Sequence, residues 1–194
     1  MHELDDSYTL WLHNVFDSDW SINSYKKIYT FNTLENGISL IDNINDELIE
    51  KTMLFLMKNN IKPIWEDEKN CKGGCFSYKI SNNIVGKVWR IINYSFIGNS
   101  LSSNENVIKN ISGISISPKK TYCIIKIWIS TTSNEILNDN DLNNFIEEQI
   151  SAVIKNDNLN DEIKEYNFKD PFNIHQLCSI EKQQCIFKKH DVLY

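Results

Sequence analysis

The stretch KPIWEDEKNCKGGCF, residues 62–76, sets Trp65 beside Glu66 in a segment that ends on a Gly-Gly turn. An indole offers an electron-rich face to a flat cationic ring, and an adjacent carboxylate accepts hydrogen bonds from that ring's edge. A second indole, Trp20, sits in the equally polar loop FDSDWSINS. Large aromatics in polar loops have no obvious core to join, and proteins stack unpaired bases on such side chains. Each could instead cap the edge of a sheet, since isolated exposed apolar residues are common. The clustered carboxylates of WEDEK also suit Mg²⁺ and hence an enzyme acting on nucleotides. Against that, His2, His13, His175 and His190 are scattered, and no nucleophile, base and phosphate loop come together. The chain is therefore read as a binding protein rather than an enzyme, with no cofactor.

Of the other tryptophans, Trp11 alternates with apolar neighbours in a strand-like run and Trp89 sits in a helical one, so both are assigned to the core. Trp128 lies in YCIIKIWIS, a strand pattern in which Ile124 and Lys126 share its face.

The elements that must position these side chains are legible as short runs. YTLWLHNVF (8–16) alternates, with Tyr8, Leu10 and Leu12 on one face, and YKKIYTF (25–31), CFSYKI (75–80), ISGISIS (111–117) and YCIIKIWIS (122–130) follow. PKKT joins the last two as a hairpin loop led by Pro118. A helix is predicted from Asn32 as N-cap, with Glu35 three residues on and a stripe of Leu34, Ile38, Ile41 and Leu48. A second runs from about Asn83 to Gly98, and a third from Asp139 to about Lys155 with Leu142, Phe145, Ile146, Ile150 and Val153 as its apolar face. Strands with interspersed helices predict an antiparallel sheet covered by helices on one side, leaving the other side for a ligand.

Composition sets the outer bounds. A length of 194 residues with 41% hydrophobic content suits one core, and one domain over 1–194 is expected. No apolar run is long enough to span a bilayer, and the acidic start MHELDDSYTL lacks the parts of a signal peptide, so a chain that keeps to the cytoplasm or nucleus, away from membranes, is expected. A net charge of −6, with Arg90 as the only arginine, argues against coating long nucleic acid but not against reading one short, defined piece of it. Cys71, Cys75, Cys123, Cys178 and Cys185 read as reduced thiols, and their spacing repeats no usual zinc module, so no metal is expected.

Five stretches, HELDDSYTLWL (2–12), Trp20 in its loop, FNTLENGISL (31–40), IKPIWEDEKNCKGGCF (61–76) and IKIWIST (125–131), resemble the eukaryotic translation initiation factor 4E family, which binds the 7-methylguanosine cap of messenger RNA. IWEDEKNCKGG is the most specific, and the spacing of the tryptophans at 20, 65 and 128 also fits. The resemblance covers roughly residues 2 to 155, and the last forty diverge. It implies an α+β fold: a curved antiparallel sheet with three helices on its convex face and a cap-binding slot on the concave side.

It also implies roles. Trp20 and Trp65 sandwich the methylated base, Glu66 takes its edge, and Trp128 touches the N7 methyl group. For the cap phosphates the family uses an arginine and nearby lysines; those positions fall on Lys119, Thr121 and Ile124, so Lys119, Lys120 and Lys126 are the available replacements. PKK could instead be an ordinary solvated turn. On the back, the family's exposed tryptophan for a scaffold helix falls on Ile38, flanked by Leu34 and by Arg90 in place of a leucine. Periodicity alone leaves open whether Leu34 and Ile38 face the core. The implied partners are capped mRNA and a scaffold of the initiation factor 4G type, or a divergent replacement for it, with the chain itself a monomer. A homologue that represses or redirects translation, as a virus-encoded one would, is the alternative role, and a cap-processing enzyme a remote one.

Overall fold

The computed structural model describes residues 1–156 and the strand at 186–189. Its strands are β1 (Glu3–His13), β2 (Tyr25–Thr33), β3 (Met53–Lys58), β4 (Gly74–Ser81), β5 (Ile111–Pro118), β6 (Tyr122–Ile129) and β7 (Ile186–Lys189). They form one seven-stranded curved sheet in the order β2-β1-β3-β5-β6-β4-β7, antiparallel at every pairing. Register shifts within the β1–β2 and β5–β6 pairs mark bulges, which bend and twist strands. The helices are α1 (Leu34–Asn43), α2 (Asp46–Lys51), α3 (Asn82–Ile97), α4 (Glu105–Asn110), α5 (Asn134–Leu137) and α6 (Asn140–Asn156). The three long ones, α1, α3 and α6, are those predicted, with α3 packed against both of the others and against α2.

Side chains alternate between the two faces, and the two faces bury different things. Tyr8 and Leu10 of β1, Leu54 and Leu56 of β3, Ile114 and Ile116 of β5 and Ile125, Ile127 and Ile129 of β6 join Trp89, Ile92 and Phe96 of α3 in the main core. Tyr8 lies at its centre, stacked on Phe31 at 5.5 Å and edge-on to Phe96 at 5.2 Å. The opposite residues of the same strands, Phe55, Met57 and Trp128 with Tyr25 of β2, make a smaller aromatic cluster on the open face, with Trp11 packed against it. Trp89 therefore lies in the main core as expected, while Trp11 packs on the other side of the sheet.

The structure moves three local boundaries. Asn32 is not an N-cap: β2 continues to Thr33, which pairs with Glu3, and the Leu34 amide bonds the His2 carbonyl at 2.9 Å. Glu35 then has no capping box to close and instead accepts from the His2 amide at 3.0 Å. Leu48 leaves the α1 stripe because the chain turns at Ile44 and restarts a helix at Asn45, whose side chain caps Leu48 N. The strand β3, absent from the alternation reading, is central and buried along nearly its whole length, so MLFLMK shows no polar alternation to detect. The edge strand β2 carries Lys26 and Lys27 and half-exposed Ile28 and Tyr29.

Candidate functional site

A cavity of about 450 Å³ opens on the aromatic side of the sheet. Its lining includes Tyr25, Met53, Phe55, Ser115 and Trp128 from the strands, Trp20 from the β1–β2 loop, Trp65 and Glu66 from the β3–β4 loop, and Lys119 and Lys126 from the β5–β6 hairpin. Of the seven cap-side residues read from the sequence, Trp20, Trp65, Glu66, Trp128, Lys119 and Lys126 thus border one space. Lys120 does not line it: it stands exposed in the hairpin turn, which the Lys119 amide closes onto the Tyr122 carbonyl at 2.8 Å. Thr121, likewise exposed in that turn, is also outside the lining.

Each wall has a local cause. Trp128 is 3% exposed, its Nε1 donating to Ser115 Oγ at 2.9 Å, and Phe55 meets it edge-on at 6.3 Å. These rings cannot turn away without breaking a buried hydrogen bond and an aromatic contact. The Trp65 loop is held by two residues that the sequence reading passed over. Asn70 is fully buried; its Nδ2 donates to the Lys62 and Ile64 carbonyls at 3.0 and 2.9 Å, and its Oδ1 accepts from Ser112 Oγ of β5 at 2.9 Å. Asp67 accepts from the Lys62 and Lys69 amides at 3.1 and 3.0 Å. The acidic cluster is therefore divided: Asp67 braces the loop, and Glu66 is exposed at the cavity. Gly73 is required because a Cβ there would run into the Ile129 carbonyl where the loop crosses the end of β6.

Trp20 is 54% exposed and rests on a turn whose bonds are short-range, Asp19 N to Asp17 Oδ1 at 2.9 Å and Ser21 N to Asp19 Oδ1 at 2.8 Å. The bonds from Ser21 pull the Asp19 carboxyl below its ordinary range. Burial, with the charges of Glu66 and Asp19 behind it, pushes the Tyr25 phenol up to about 12, so it stays neutral. Lys126 Nζ lies 6.0 Å from the Trp65 ring centroid, within the range at which an indole attracts a cation.

On the helical side, Leu34 is half-buried against the main core and Ile38 is 39% exposed. Arg90 is committed within the fold: its guanidinium pairs with Asp46 Oδ1 at 2.7 Å and donates to the Ile44 carbonyl at 2.8 Å, clipping α2 to α3. Gly86, one turn earlier on α3, leaves the room that Asp46 occupies. Among the described residues no group of His, Cys, Asp and Glu could hold a metal, and no helix is long and apolar enough to cross a membrane. Of the cysteines weighed as zinc ligands, Cys178 and Cys185 lie outside the described residues, as does most of the tail after residue 156.

A curved antiparallel sheet backed by helices, with indoles lining its open face, defines the class. The chain belongs to the eukaryotic initiation factor 4E family, whose model matches residues 3–186. Similar proteins include eukaryotic translation initiation factor 4E of Eremothecium gossypii, 29% identical over 133 residues, 66% of this chain and 62% of that one. The Saccharomyces cerevisiae factor is 26% identical over 143 residues, 70% of this chain and 65% of that one. The chain thus spans less than two thirds of the length of these two relatives. A schistosome initiation factor 4E solved with m7GpppA and 4E-BP is 25% identical, with a TM-score of 0.67 over 76% of this chain and 81% of that one.

Proposed function

We propose that the protein binds the 7-methylguanosine cap of mRNA in the cytoplasm and acts in translation initiation. The observation that carries this is the shared cavity of Trp20, Trp65, Glu66 and Trp128. Methylation at N7 leaves guanine with a delocalised positive charge. Trp20 and Trp65 stack on its two faces, each desolvated contact contributing about 1–2 kcal/mol. The Glu66 carboxylate accepts from N1–H and the exocyclic amine, bonds roughly twice as strong as neutral ones. The Trp65 amide donates to O6, Trp128 meets the N7 methyl group, and Lys119 and Lys126 face the phosphates. Adenine presents the wrong edge to Glu66. Nothing in this scheme needs bond-making chemistry, and the protein acts as a binder.

Tryptophan fluorescence titrated with 7-methyl-GTP and with GTP tests it. Both ligands stack, but only the first carries the charge, so 7-methyl-GTP should bind on the order of tenfold tighter. Equal affinities would overturn the reading.

The partner on the helical side is a scaffold helix of the 4G type or a divergent replacement. Support comes from the schistosome relative solved with 4E-BP. The setting differs here: Ile38 stands where the family has an aromatic anchor, and Arg90 is occupied by Asp46 and Ile44. Loss of a tryptophan anchor costs about 2 kcal/mol or more, so a standard scaffold peptide should be captured poorly in a pull-down. The same residues favour the second role, a homologue that holds capped RNA without ordinary recruitment. Tight capture of the standard peptide would rule that role out.

A further inference from the structure

His13 ends β1, opposite Tyr25 of β2 and Met53 of β3, and is wholly buried. Its Nε2 lies 2.8 Å from the Asp19 carbonyl. A carbonyl can only accept, so Nε2 carries the proton of the neutral ring. Nδ1 is then a bare acceptor, buried, with no donor among the described residues. The imidazole lies flat against Trp20, centroids 4.5 Å apart and planes within 8°. The Tyr25 ring leans on it from the other element at 4.6 Å and 51°. One side chain therefore holds both the backbone just before Trp20 and the indole itself.

We infer that His13 positions Trp20 and, by gaining or losing a proton, sets how strongly Trp20 holds a cationic base; the inference rests on the cap-binding reading above. Trp20 has two faces. His13 covers one, and the methylated base takes the other. A neutral imidazole leaves the indole's electron density to the base. An imidazolium draws on the same density from behind and repels the base's charge across the indole. Protonation at Nδ1 displaces no existing hydrogen bond, because that atom has none to lose among the described residues.

The surroundings of the ring are otherwise settled. The Asp19 carboxylate, on the same loop, is engaged by Ser21 N and Oγ at 2.8 and 2.9 Å. Tyr25 faces the ring as a neutral phenol, with Glu66 acting on that phenol from the β3–β4 loop. Met53, opposite on β3, carries no charge.

The test compares wild type with His13→Phe, which keeps a flat ring against Trp20 and cannot titrate. Affinities for 7-methyl-GTP and for GTP are measured by fluorescence at pH 7.5 and pH 5.5. Ionisation of ligand phosphates and of Glu66 is common to both proteins and cancels in the comparison. At the higher pH His13→Phe keeps the flat contact but loses the bond to the Asp19 carbonyl, so it should bind 7-methyl-GTP and GTP more weakly than wild type by the same factor, roughly threefold. On acidification wild type should lose about fivefold more affinity than His13→Phe, and this excess should vanish with GTP, whose base is neutral. Parallel pH profiles for the two proteins would overturn the inference, as would an excess of the same size for GTP. If His13→Phe does not fold, NMR of the wild-type imidazole decides. Saturating 7-methyl-GTP should suppress protonation of His13 and GTP should not, since coupling between the two sites is reciprocal; an unchanged titration would overturn it. A wild-type protein that binds neither nucleotide at either pH defeats the cap-binding reading itself.

Discussion

Trp65→Ala is expected to weaken 7-methyl-GTP binding by on the order of a hundredfold, about 3 kcal/mol, while leaving the melting temperature nearly unchanged. The magnitude combines the stacking lost from one face of the base with the attraction between its charge and the indole. The stability expectation follows from position: Trp65 is half-buried at the margin of the aromatic cluster, on a loop whose shape Asn70 and Asp67 brace from within. Glu66→Ala separates edge from face. It should weaken 7-methyl-GTP and GTP by similar factors, about 2 kcal/mol each, since both bases present the same donors. Binding by Trp65→Ala within about threefold of wild type, with the fold intact, would remove Trp65 from the site.

Trp89→Ala is expected to cost about 3–5 kcal/mol of folding stability, a large part of the roughly 5–15 kcal/mol that holds a domain of ordinary size. Trp89 is 1% exposed in the middle of α3, between the sheet and the other helices, so truncation leaves a cavity that its neighbours can only partly fill. Its Nε1–H finds no acceptor among the described residues. Trp89→Phe keeps most of the apolar contact and removes that donor, and should cost about 1.5 kcal/mol or less. Urea denaturation measures both, and equal losses for the two variants would show that the account of Trp89 as apolar filler is wrong.

Much of the scaffold was legible because its strands differ on their two sides. β6 buries Ile125 and Ile127 against helices and turns Lys126 and Trp128 to the cavity, so its sequence carries a strong alternation. β3 hid for the opposite reason: Leu54 and Leu56 meet the helices while Phe55 and Met57 meet the aromatic cluster, and nothing polar marks either side. Trp20 and Trp65, which line the cavity, stand out in the sequence by their type and their polar setting, and the family resemblance supplied the roles proposed for them. Asn70, Asp67 and His13 do not stand out. A buried amide that ties a loop to a neighbouring strand reads, in one dimension, as one more polar loop residue. WEDEK reads as a single cluster of charge, and only folding separates the carboxylate used inside the loop from the one turned outward. Arg90 looked like a vacancy in a docking surface, and its partners Asp46 and Ile44 come from a turn far away in the chain.

The two indole walls are suspended differently. Trp65 belongs to a loop keyed into the sheet by three bonds of the buried Asn70 amide, whereas among the described residues the loop of Trp20 has one tie to the sheet, from His13 Nε2 to the Asp19 carbonyl, and otherwise rests on solvent-exposed turns that bridge residues two apart. Exposed local turns open at far lower free energy than buried ties. On the proposed reading, a bound nucleotide therefore leaves past the Trp20 side, and its residence time follows the opening of residues 14–21 rather than any breathing of the sheet.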